Sequence, residues 1–353
     1  MLSRAEDMQK QERSPNALWE DLVCPACGCR LFPVGGSSNS LACFACSEKF
    51  PIANGIPRLL SRATGLSGSS NGVVDRNQMM QLKTAESFGF EWTHFSEMYP
   101  EWESNFRDYM FPLTAESFRG KKVLDAGCGI GRHAYYAAHY GAEVWAVDIS
   151  DAVEVAARNT QGTGARVIQA DLNHLPFPAE SFDLVYSMGV LHHLPDPEKA
   201  FRYLLSFVKP GGEFRMFLYW TPEQQPIKSV LLRAVSALRM LTVRMPHRLL
   251  YPLSYVVAFL VWTCFVWPYR ACTRIPMLSK LAARLPLRQY SRYPFRTTVN
   301  DQFDRLSAPL ERRYSRAQVE QFLESAGLEE LNLFPNFGWV ASGKKPKTSE
   351  IAA

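Results

Sequence analysis

The chain has 353 residues, which is enough for about two domains. Apolar residues make up 47% and charged residues 21%, a composition that excludes a mainly disordered or collagen-like protein. The net charge of +5 is too small by itself to indicate nucleic-acid binding. The charges are unevenly distributed, however, since twelve Lys or Arg and no Asp or Glu lie between Gln225 and Asn300. One segment is therefore strongly basic, and the rest of the chain is mildly acidic.

The first segment, residues 1–20, is polar and contains no apolar run, so we expect it to be flexible. The absence of a signal-peptide pattern predicts a reducing, cytoplasmic compartment. Five of the eight cysteines lie between Cys24 and Cys46. This clustering is typical of a metal site and not of a secreted disulfide scaffold.

Residues 21–60 predict a small metal-binding domain. Two CxxC pairs, separated by fifteen residues, are formed by Cys24, Cys27, Cys43 and Cys46. Four thiolates complete a tetrahedral Zn²⁺ site and leave no open position, so the predicted zinc is structural and supplies folding free energy to a domain with little core. Together with Phe50-Pro51-Ile52 and Gly55-Ile56-Pro57, the pattern resembles the zinc ribbon that partners or is fused to some methyltransferases. Surface thiols without metal are the alternative, and Cys29 is a spare cysteine.

Two segments of contrasting composition follow. Residues 61–76 are rich in Gly, Ser and Asn, which predicts a linker. Residues 77–118 carry many aromatic side chains, namely Phe88, Phe90, Trp92, Phe95, Tyr99, Trp102 and Phe106. We interpret this second segment as a set of helices that could cover a site.

Residues 119–220 alternate short apolar strands with helical stretches. The predicted strands are Lys122–Asp125, Glu143–Val147, Arg166–Gln169, Phe182–Ser187 and Gly212–Tyr219. The predicted helices are His133–His139, Ala152–Asn159 and Pro197–Phe207. Residues 308–345 add a helix, Arg316–Ala326, and strands at Leu328–Phe334 and Gly338–Gly343. The alternation predicts an α/β fold with a mainly parallel sheet and helices on both faces.

A glycine-rich turn follows the first of these strands. Val123–Gly131 runs from a buried strand into this turn, where glycines allow the backbone to approach a ligand closely. Arg132 breaks the GxGxxG spacing, so a dinucleotide cradle is disfavoured. Asp148 ends the second strand, where a carboxylate can accept both ribose hydroxyls, and Asp171 follows the third strand.

These features, with Phe182–Ser187, the loop Gly189–Leu194 and the turn Lys209–Gly212, occur in the order found in class I S-adenosylmethionine-dependent methyltransferases, which the chain resembles. The resemblance implies a Rossmann-like sheet, S-adenosyl-L-methionine as the cofactor, and contact of Asp171 with the adenine amino group. The predicted cofactor-binding residues are Asp125, Ala126, Gly127, Cys128, Gly129, Gly131, Asp148, Ile149, Asp171, Leu172, Ser187, Phe90 and Trp92. The alternative is another nucleotide-binding or an inert Rossmann-like domain.

The predicted lid carries a second resemblance. Gln81–Thr84 and Ser87–Trp92 look like the lid that precedes the core in relatives of quinone-biosynthesis methyltransferases. Its aromatic side chains could exclude water from the cofactor, although ordinary packing against the sheet would give the same composition. His192 and His193 are the candidate general bases because imidazole titrates near neutrality, with capping or packing as their alternative role.

Residues 221–307 form a long basic and apolar insert before the last strands. Within it, Leu249–Tyr269 is free of charge and long enough to span a membrane. Both ends of the insert must return to one sheet, and Pro252 and Pro268 interrupt or bound the stretch, so we predict an interfacial or re-entrant helical element. Its cations would favour an anionic leaflet by about 1 kcal/mol each. A buried cap in a soluble protein is the alternative.

The combined prediction is a cytoplasmic methyltransferase, peripheral to the inner face of a membrane. Its acceptor would be an amphiphilic small molecule, such as an isoprenoid, a quinone precursor, a lipid or a lipid-linked saccharide. Residues 225–300 would contact the anionic membrane surface, and their aliphatic content disfavours nucleic acid. An RNA methyltransferase that uses the zinc ribbon and the insert is one alternative function. A non-catalytic partner-binding protein that retains the fold is another.

Overall fold

The computed structural model describes residues 19–35, 39–61, 76–221, 226–278, 282 and 287–347. For residues 226–231 and 234 the structure describes the backbone only. Nearly all of the predicted N-terminal segment and of the predicted linker lies outside the described residues. The side chains of three predicted insert cations, Lys228, Lys280 and Arg284, lie outside them as well.

Residues 19–61, called the ribbon below, form a four-stranded antiparallel sheet. Its strands, in spatial order, are β1 (Phe32–Val34), β2 (Ser40–Ala42), β3 (Lys49–Ala53) and β4 (Ile56–Pro57). Each CxxC pair is followed by a residue in the left-handed region, Gly28 with φ 73° and Ser47 with φ 62°. These two turns direct both cysteine pairs toward one point.

A seven-stranded sheet forms the centre of the molecule. Its strands are β5 (Lys122–Ala126), β6 (Glu143–Asp148), β7 (Arg166–Gln169), β8 (Phe182–Met188), β9 (Val208–Leu218), β10 (Glu329–Pro335) and β11 (Trp339–Lys344). The spatial order is β10-β11-β9-β8-β5-β6-β7, with β5 to β9 parallel and β10 and β11 antiparallel. The predicted α/β class is therefore confirmed.

Ten α-helices accompany the sheet in the described part of the chain. They are α1 (Arg76–His94), α2 (Glu101–Met110), α3 (Arg132–His139), α4 (Val153–Asn159), α5 (Pro197–Leu205), α6 (Pro226–Thr242), α7 (His247–Val261), α8 (Trp267–Thr273), α9 (Phe295–Ser307) and α10 (Arg316–Ser325). Alternate residues of a strand point to opposite faces, so Val123 packs with α2 and α3 whereas Leu124 packs with α5 and α10. Because both faces are covered, β5 is buried almost throughout.

The predicted strand boundaries are reproduced within a few residues, with one notable difference at β9. This strand begins at Val208, so the predicted turn Lys209–Gly212 lies within it. The turn appears as an irregularity in the register, because Phe182 pairs with Val208 whereas Leu184 pairs with Glu213. Gly211 and Gly212 instead exchange backbone hydrogen bonds with Lys345.

The ribbon is joined to the outer edge of the sheet at β7. The backbone N–H of Leu59 donates to the carbonyl of Gln169 at 2.7 Å, and that of Val23 donates to Pro176 at 2.9 Å. Arg58 forms an ion pair with Glu154 on α4. Apolar side chains of the ribbon belong to the same core as α5 and α10, so the ribbon and the sheet form one packed unit.

The insert lies between β9 and α10. It contains α6 to α9, a π-helical turn at Trp262–Val266 and short 3₁₀ turns at Pro276–Leu278 and Arg288–Arg292. Leu250 and Ala258 on α7 are buried in a cluster with Val299 and Phe303 of α9. Contrary to the prediction, Pro252 does not interrupt the helix.

Candidate active site

A cleft opens at the carboxyl ends of β5, β6 and β8. It encloses about 850 Å³ of empty space, part of which is open to solvent. The strand order changes direction between β5 and β8, which is where ligands bind in open parallel sheets. Helix α1 closes the opposite side of the cleft.

The glycine turn after β5 brings backbone to the surface of the cleft. Gly127 has φ 88°, and a Cβ atom there would lie 2.4 Å from Cγ2 of Val190. A Cβ atom on Gly129 would lie 3.1 Å from Nε1 of Trp92. Since a side chain fits at neither position without displacing its neighbour, the turn forms a flat floor that a ligand can approach closely.

Asp148 connects the end of β6 to this turn. Its Oδ2 accepts a hydrogen bond from the N–H of Gly129 at 2.9 Å, and its Oδ1 accepts from the N–H and hydroxyl of Ser150 at 2.9 and 2.7 Å. A carboxylate offers about four acceptor positions, so one remains on Oδ2. That position can accept a ligand hydroxyl at the cleft wall.

Asp171 is buried at the other end of the cleft. Its Oδ1 accepts from Nε2 of Gln81 at 2.7 Å and from the N–H of Asn173 at 2.9 Å, and its Oδ2 lies 3.0 Å from Nδ1 of His174. Gln81 belongs to α1, so this contact ties the covering helix to the sheet. Sequence reasoning missed Gln81 as a member of the site.

Eight of the predicted cofactor-binding residues line the cleft, namely Trp92, Gly127, Cys128, Gly129, Asp148, Ile149, Asp171 and Leu172. Four others lie beneath it. Burial raises the pKa of Asp125 to about 7. The hydroxyl of Ser187 donates to the carbonyl of Ala126 at 2.9 Å, which joins β8 to β5. Gly131 lies against α4, where a Cβ atom would be 3.0 Å from Cα of Ala156.

Phe90 is a correction to the prediction, because it faces away from the cleft. Its ring stacks 3.9 Å from His94 and 5.5 Å from Phe303 of the insert. Phe88 lines the cleft instead, together with Trp92. Residues four apart share one helix face and residues two apart do not, so the helical period could have selected Phe88 over Phe90.

The two candidate bases occupy different environments. His193 lines the cleft, and its Nδ1 lies 2.6 Å from the carbonyl of Leu310. This contact makes Nδ1 the protonated nitrogen and leaves Nε2 as the proton acceptor. His192 is fully buried with its ring 4.1 Å from Tyr219, and burial keeps its pKa well below the usual range.

Arg132 and His133 also line the cleft, although the prediction did not include them as site residues. The Arg132 guanidinium lies over the rings of Trp102 and Trp92, 4.5 and 5.9 Å from their centroids. Burial lowers the pKa of His133 well below its usual range, so this side chain is neutral. Their position directly after the glycine turn was the available signal.

The four predicted metal ligands converge at one end of the ribbon. The Sγ atoms of Cys24 and Cys46 are 3.5 Å apart, those of Cys27 and Cys43 are 3.4 Å apart, and all four lie within 4.8 Å of one another. Zn–S bonds of about 2.3 Å in a tetrahedron require sulfur atoms about 3.8 Å apart. The donor set therefore fits a four-thiolate metal site.

Comparisons with known proteins agree with this geometry. Residues 124–216 match the family described as a methyltransferase domain. A ubiquinone biosynthesis O-methyltransferase of Vibrio vulnificus (strain YJ016) is 35% identical over 133 residues, which are 36% of this chain and 55% of that protein. A tRNA U34 carboxymethyltransferase of Idiomarina loihiensis is 31% identical over 121 residues, or 32% and 37% of the two chains. A solved S-adenosylmethionine-dependent methyltransferase of Mesorhizobium loti is 32% identical, with 34% and 54% coverage and a TM-score of 0.30.

Residues 124–216 therefore match a methyltransferase domain, and the sheet and cleft that contain them have the form expected for the S-adenosylmethionine-dependent class. The predictions of this class and of its Rossmann-like fold are thus confirmed. The chain spans about half or less of the length of these relatives, and the family match ends at residue 216, before the insert.

Proposed function

We propose that the whole protein transfers a methyl group from S-adenosyl-L-methionine to an amphiphilic small molecule at the surface of a membrane. The observation that carries this proposal is the combination of the methyltransferase cleft with an insert whose long apolar helix has one side packed and the other exposed. The cleft provides the chemistry, and the insert provides the surface on which the acceptor would be met.

The cleft fits the cofactor, because the glycine floor admits no side chain and carboxylates stand at both ends. Asp148 would accept one ribose hydroxyl at its remaining Oδ2 position, and Asp171, Ile149 and Leu172 would surround the adenine. When bound, S-adenosyl-L-methionine supplies an electrophilic methyl group on a sulfonium. The chain's own part would be to align the acceptor and, through Phe88 and Trp92, to exclude water.

His193 is the residue that we assign as general base where the acceptor is a hydroxyl. The Leu310 carbonyl holds its Nδ1, so Nε2 can take the acceptor proton. His192 is not retained in this role because it is fully buried outside the cleft lining. Replacement of His193 by Gln should lower turnover by about 10²-fold or more with little change in cofactor affinity. An unchanged rate would remove it from the mechanism.

The exposed side of α7 and α8 supports membrane contact. Residues His247–Thr273 form a continuous helix of 27 residues, and its most apolar 18-residue window has a mean hydropathy of 2.0 and is only 28% buried. Buried residues from Leu250 to Val266 hold about 24 Å of it against the domain. A helix attached along this length lies on the surface, which suits an interfacial element and not a spanning one.

The outward side of this helix is apolar in the manner of an interfacial helix. Its exposed large residues are Leu249, Val256, Phe259, Leu260 and Trp267. Arg244, Arg248 and Arg274 are exposed near its two ends, where they would meet anionic headgroups. The ubiquinone-biosynthesis relative supports a quinone precursor as one acceptor class.

Cofactor binding is the first test. Calorimetry with the full chain and S-adenosyl-L-methionine should show stoichiometric binding, and Asp148→Ala should weaken it by about tenfold or more. Asp108→Ala, which removes an exposed acid of α2, is the matched control and should bind normally. Absence of binding to the unmodified chain would favour the non-catalytic alternative.

Membrane contact is tested by flotation with vesicles of phosphatidylglycerol and phosphatidylcholine. The full chain should float with the vesicles, whereas Phe259→Ser combined with Leu260→Ser should stay in the dense fraction. Phe337→Ser removes a side chain that is 57% exposed, close to the 55% of Leu260, but lies far along the chain on the β10–β11 turn. This control should still float. Failure of the unmodified chain to float would defeat the membrane proposal.

An RNA acceptor is the second candidate, because one relative carries a tRNA name. RNA contact would depend on salt through release of counterions, whereas the exposed face of the insert is mainly apolar. Filter binding with total tRNA at two salt concentrations separates the candidates. Tight, salt-sensitive binding with no vesicle flotation would favour RNA over the membrane.

A further inference from the structure

A second groove lies on the insert, separate from the methyltransferase cleft. It runs between α6 and residues 309–313, called the strap below, and includes about 1310 Å³ of empty space that is open to solvent. Leu232, Met240 and Val243 of α6 and Leu310 of the strap give it an apolar floor. Charged residues in the same groove would make it amphipathic.

Three arginines and one acid line the same groove. Arg239 Nη1 and Arg313 Nη2 contact the two oxygens of Glu311 at 2.6 and 2.7 Å, and the Glu311 side chain is 3% exposed. Arg233 is exposed, and it has no ion pair within the described residues. Since one carboxylate faces three guanidinium groups, the groove carries two uncompensated positive charges.

This pairing of charge and apolar surface specifies the chemistry of an occupant. Guanidinium groups bind phosphate oxygens in a planar, bidentate way, so the cationic side selects a phosphate. A free phosphate would leave the apolar floor in water, and an uncharged acyl chain would leave the arginines unpaired. Only an amphiphilic anion, with a phosphate joined to a hydrocarbon chain, complements both parts.

We propose that this groove binds an anionic phospholipid, with its phosphate at Arg233 and its acyl chain along Leu232, Met240 and Leu310. The proposal rests on the membrane part of the proposed function and extends it from a general surface to one built site. The groove also adjoins the active site, because the Leu310 carbonyl accepts from His193. A bound lipid would therefore sit directly behind the wall that orients the candidate base.

The strap carries further contacts toward the same loop. The backbone N–H of Arg312 donates to the carbonyl of His192 at 3.0 Å, and Arg312 Nη2 donates to Pro195 at 2.8 Å. Arg313 lies over the ring of Tyr219, 5.3 Å from its centroid. The groove and the histidine loop thus share one wall, and the lipid site belongs to the acceptor side of the enzyme.

Monomeric lipid tests the groove without a bilayer. Dihexanoyl-phosphatidylglycerol, kept below its micelle concentration, should bind the full chain in calorimetry, and dihexanoyl-phosphatidylcholine should bind less tightly. Arg233→Gln should weaken the phosphatidylglycerol binding by about tenfold, because one charged hydrogen-bond partner is lost. Arg107→Gln, which removes an exposed cation of α2 outside the groove, should leave the affinity unchanged.

Several outcomes would overturn the inference. Equal affinities for phosphatidylglycerol and phosphatidylcholine would exclude a role for the arginines. Equal loss of affinity in the two arginine variants would show that binding depends only on general positive charge. Inorganic phosphate that binds as tightly as the lipid would show that the apolar floor contributes nothing. Vesicle flotation and cofactor calorimetry are independent of these measurements. If they succeed and monomeric lipid does not bind, only the groove is rejected.

Discussion

The ribbon and the insert are attached to the same sheet, but their apolar surfaces differ in how far they are buried. Leu22, Phe50 and Leu59 of the ribbon are buried in one core with Trp145 and Phe177 of the methyltransferase domain. The insert buries one side of its long helix and leaves the other exposed. The ribbon shares the core of the sheet, whereas the insert still presents an apolar surface that a partner can cover.

Loss of one of the four clustered cysteines should unfold the ribbon, and we expect this effect to be the largest of those predicted. Cys46→Ser leaves three thiolates, so stoichiometric zinc and the ribbon fold should be lost together; binding of structural zinc contributes about 10–16 kcal/mol in zinc-finger peptides. Metal analysis and thermal unfolding of the full chain check this. Cys29→Ser removes an exposed cysteine outside the cluster and should retain zinc. Retention of zinc by Cys46→Ser would show that the four sulfurs are not the site.

The two sides of α7 provide a matched pair of leucines. Leu250 is 0% exposed and Leu260 is 55% exposed. Leu250→Ala should lower the free energy of unfolding by about 2–5 kcal/mol because it leaves a cavity against α9. Leu260→Ala should change it by less than about 0.5 kcal/mol. Urea unfolding measures both, and equal losses would mean that the exposed side is covered within the protein.

The cofactor end of the cleft could be predicted from the sequence because its signals are local. A buried strand followed by a glycine turn, or by an acid such as Asp148, is a pattern of adjacent residues that can be recognised in the sequence. The fold then brings the ends of the parallel strands together. The convergence of Cys24, Cys27, Cys43 and Cys46 could likewise be predicted from local spacing.

The acceptor side depends on contacts between residues distant in sequence. His193 and not His192 reaches the cleft because Leu310, 117 residues later, holds its ring. Phe90 was wrongly assigned because aromatic content was considered without the period of the helix. The groove under the strap arises only when α6 meets residues 309–313, and no local pattern marks that contact.

Asp125 lies in the sheet to which the ribbon and the insert are both attached, and its buried carboxyl should make stability depend on pH. Burial raises its pKa from 3.8 to about 7, so between these values the folded chain holds a proton that the unfolded chain has lost. Stability from this group therefore falls as the pH rises through that window. Asp125→Asn cannot ionise, and it should gain about 4 kcal/mol relative to the unmodified chain at pH 8 compared with pH 4. Urea unfolding at both values tests this, and a difference that does not change with pH would contradict it.

The joint between the ribbon and the sheet should give the smallest effect. Arg58 Nη1 donates to Oε1 of Gln169 at 3.2 Å, and Nε2 of Gln169 donates to the carbonyl of Ile149 at 3.1 Å on the cleft wall. Arg58→Met should therefore weaken cofactor binding by less than about fivefold, since one part-buried ionic contact is removed.

Lys122→Met is the matched control for this joint. Lys122 on β5 forms an ion pair with Asp21 of the ribbon at 2.8 Å. Its side chain does not line the cleft. Calorimetry should show an unchanged cofactor affinity for Lys122→Met and a small loss for Arg58→Met. If both variants lost affinity equally, the ribbon would act on the cleft through overall stability and not through the contact of Arg58 with Gln169. If neither variant lost affinity, the ribbon would have no influence on cofactor binding. The ribbon would then differ most clearly from the insert, which we place beside the acceptor.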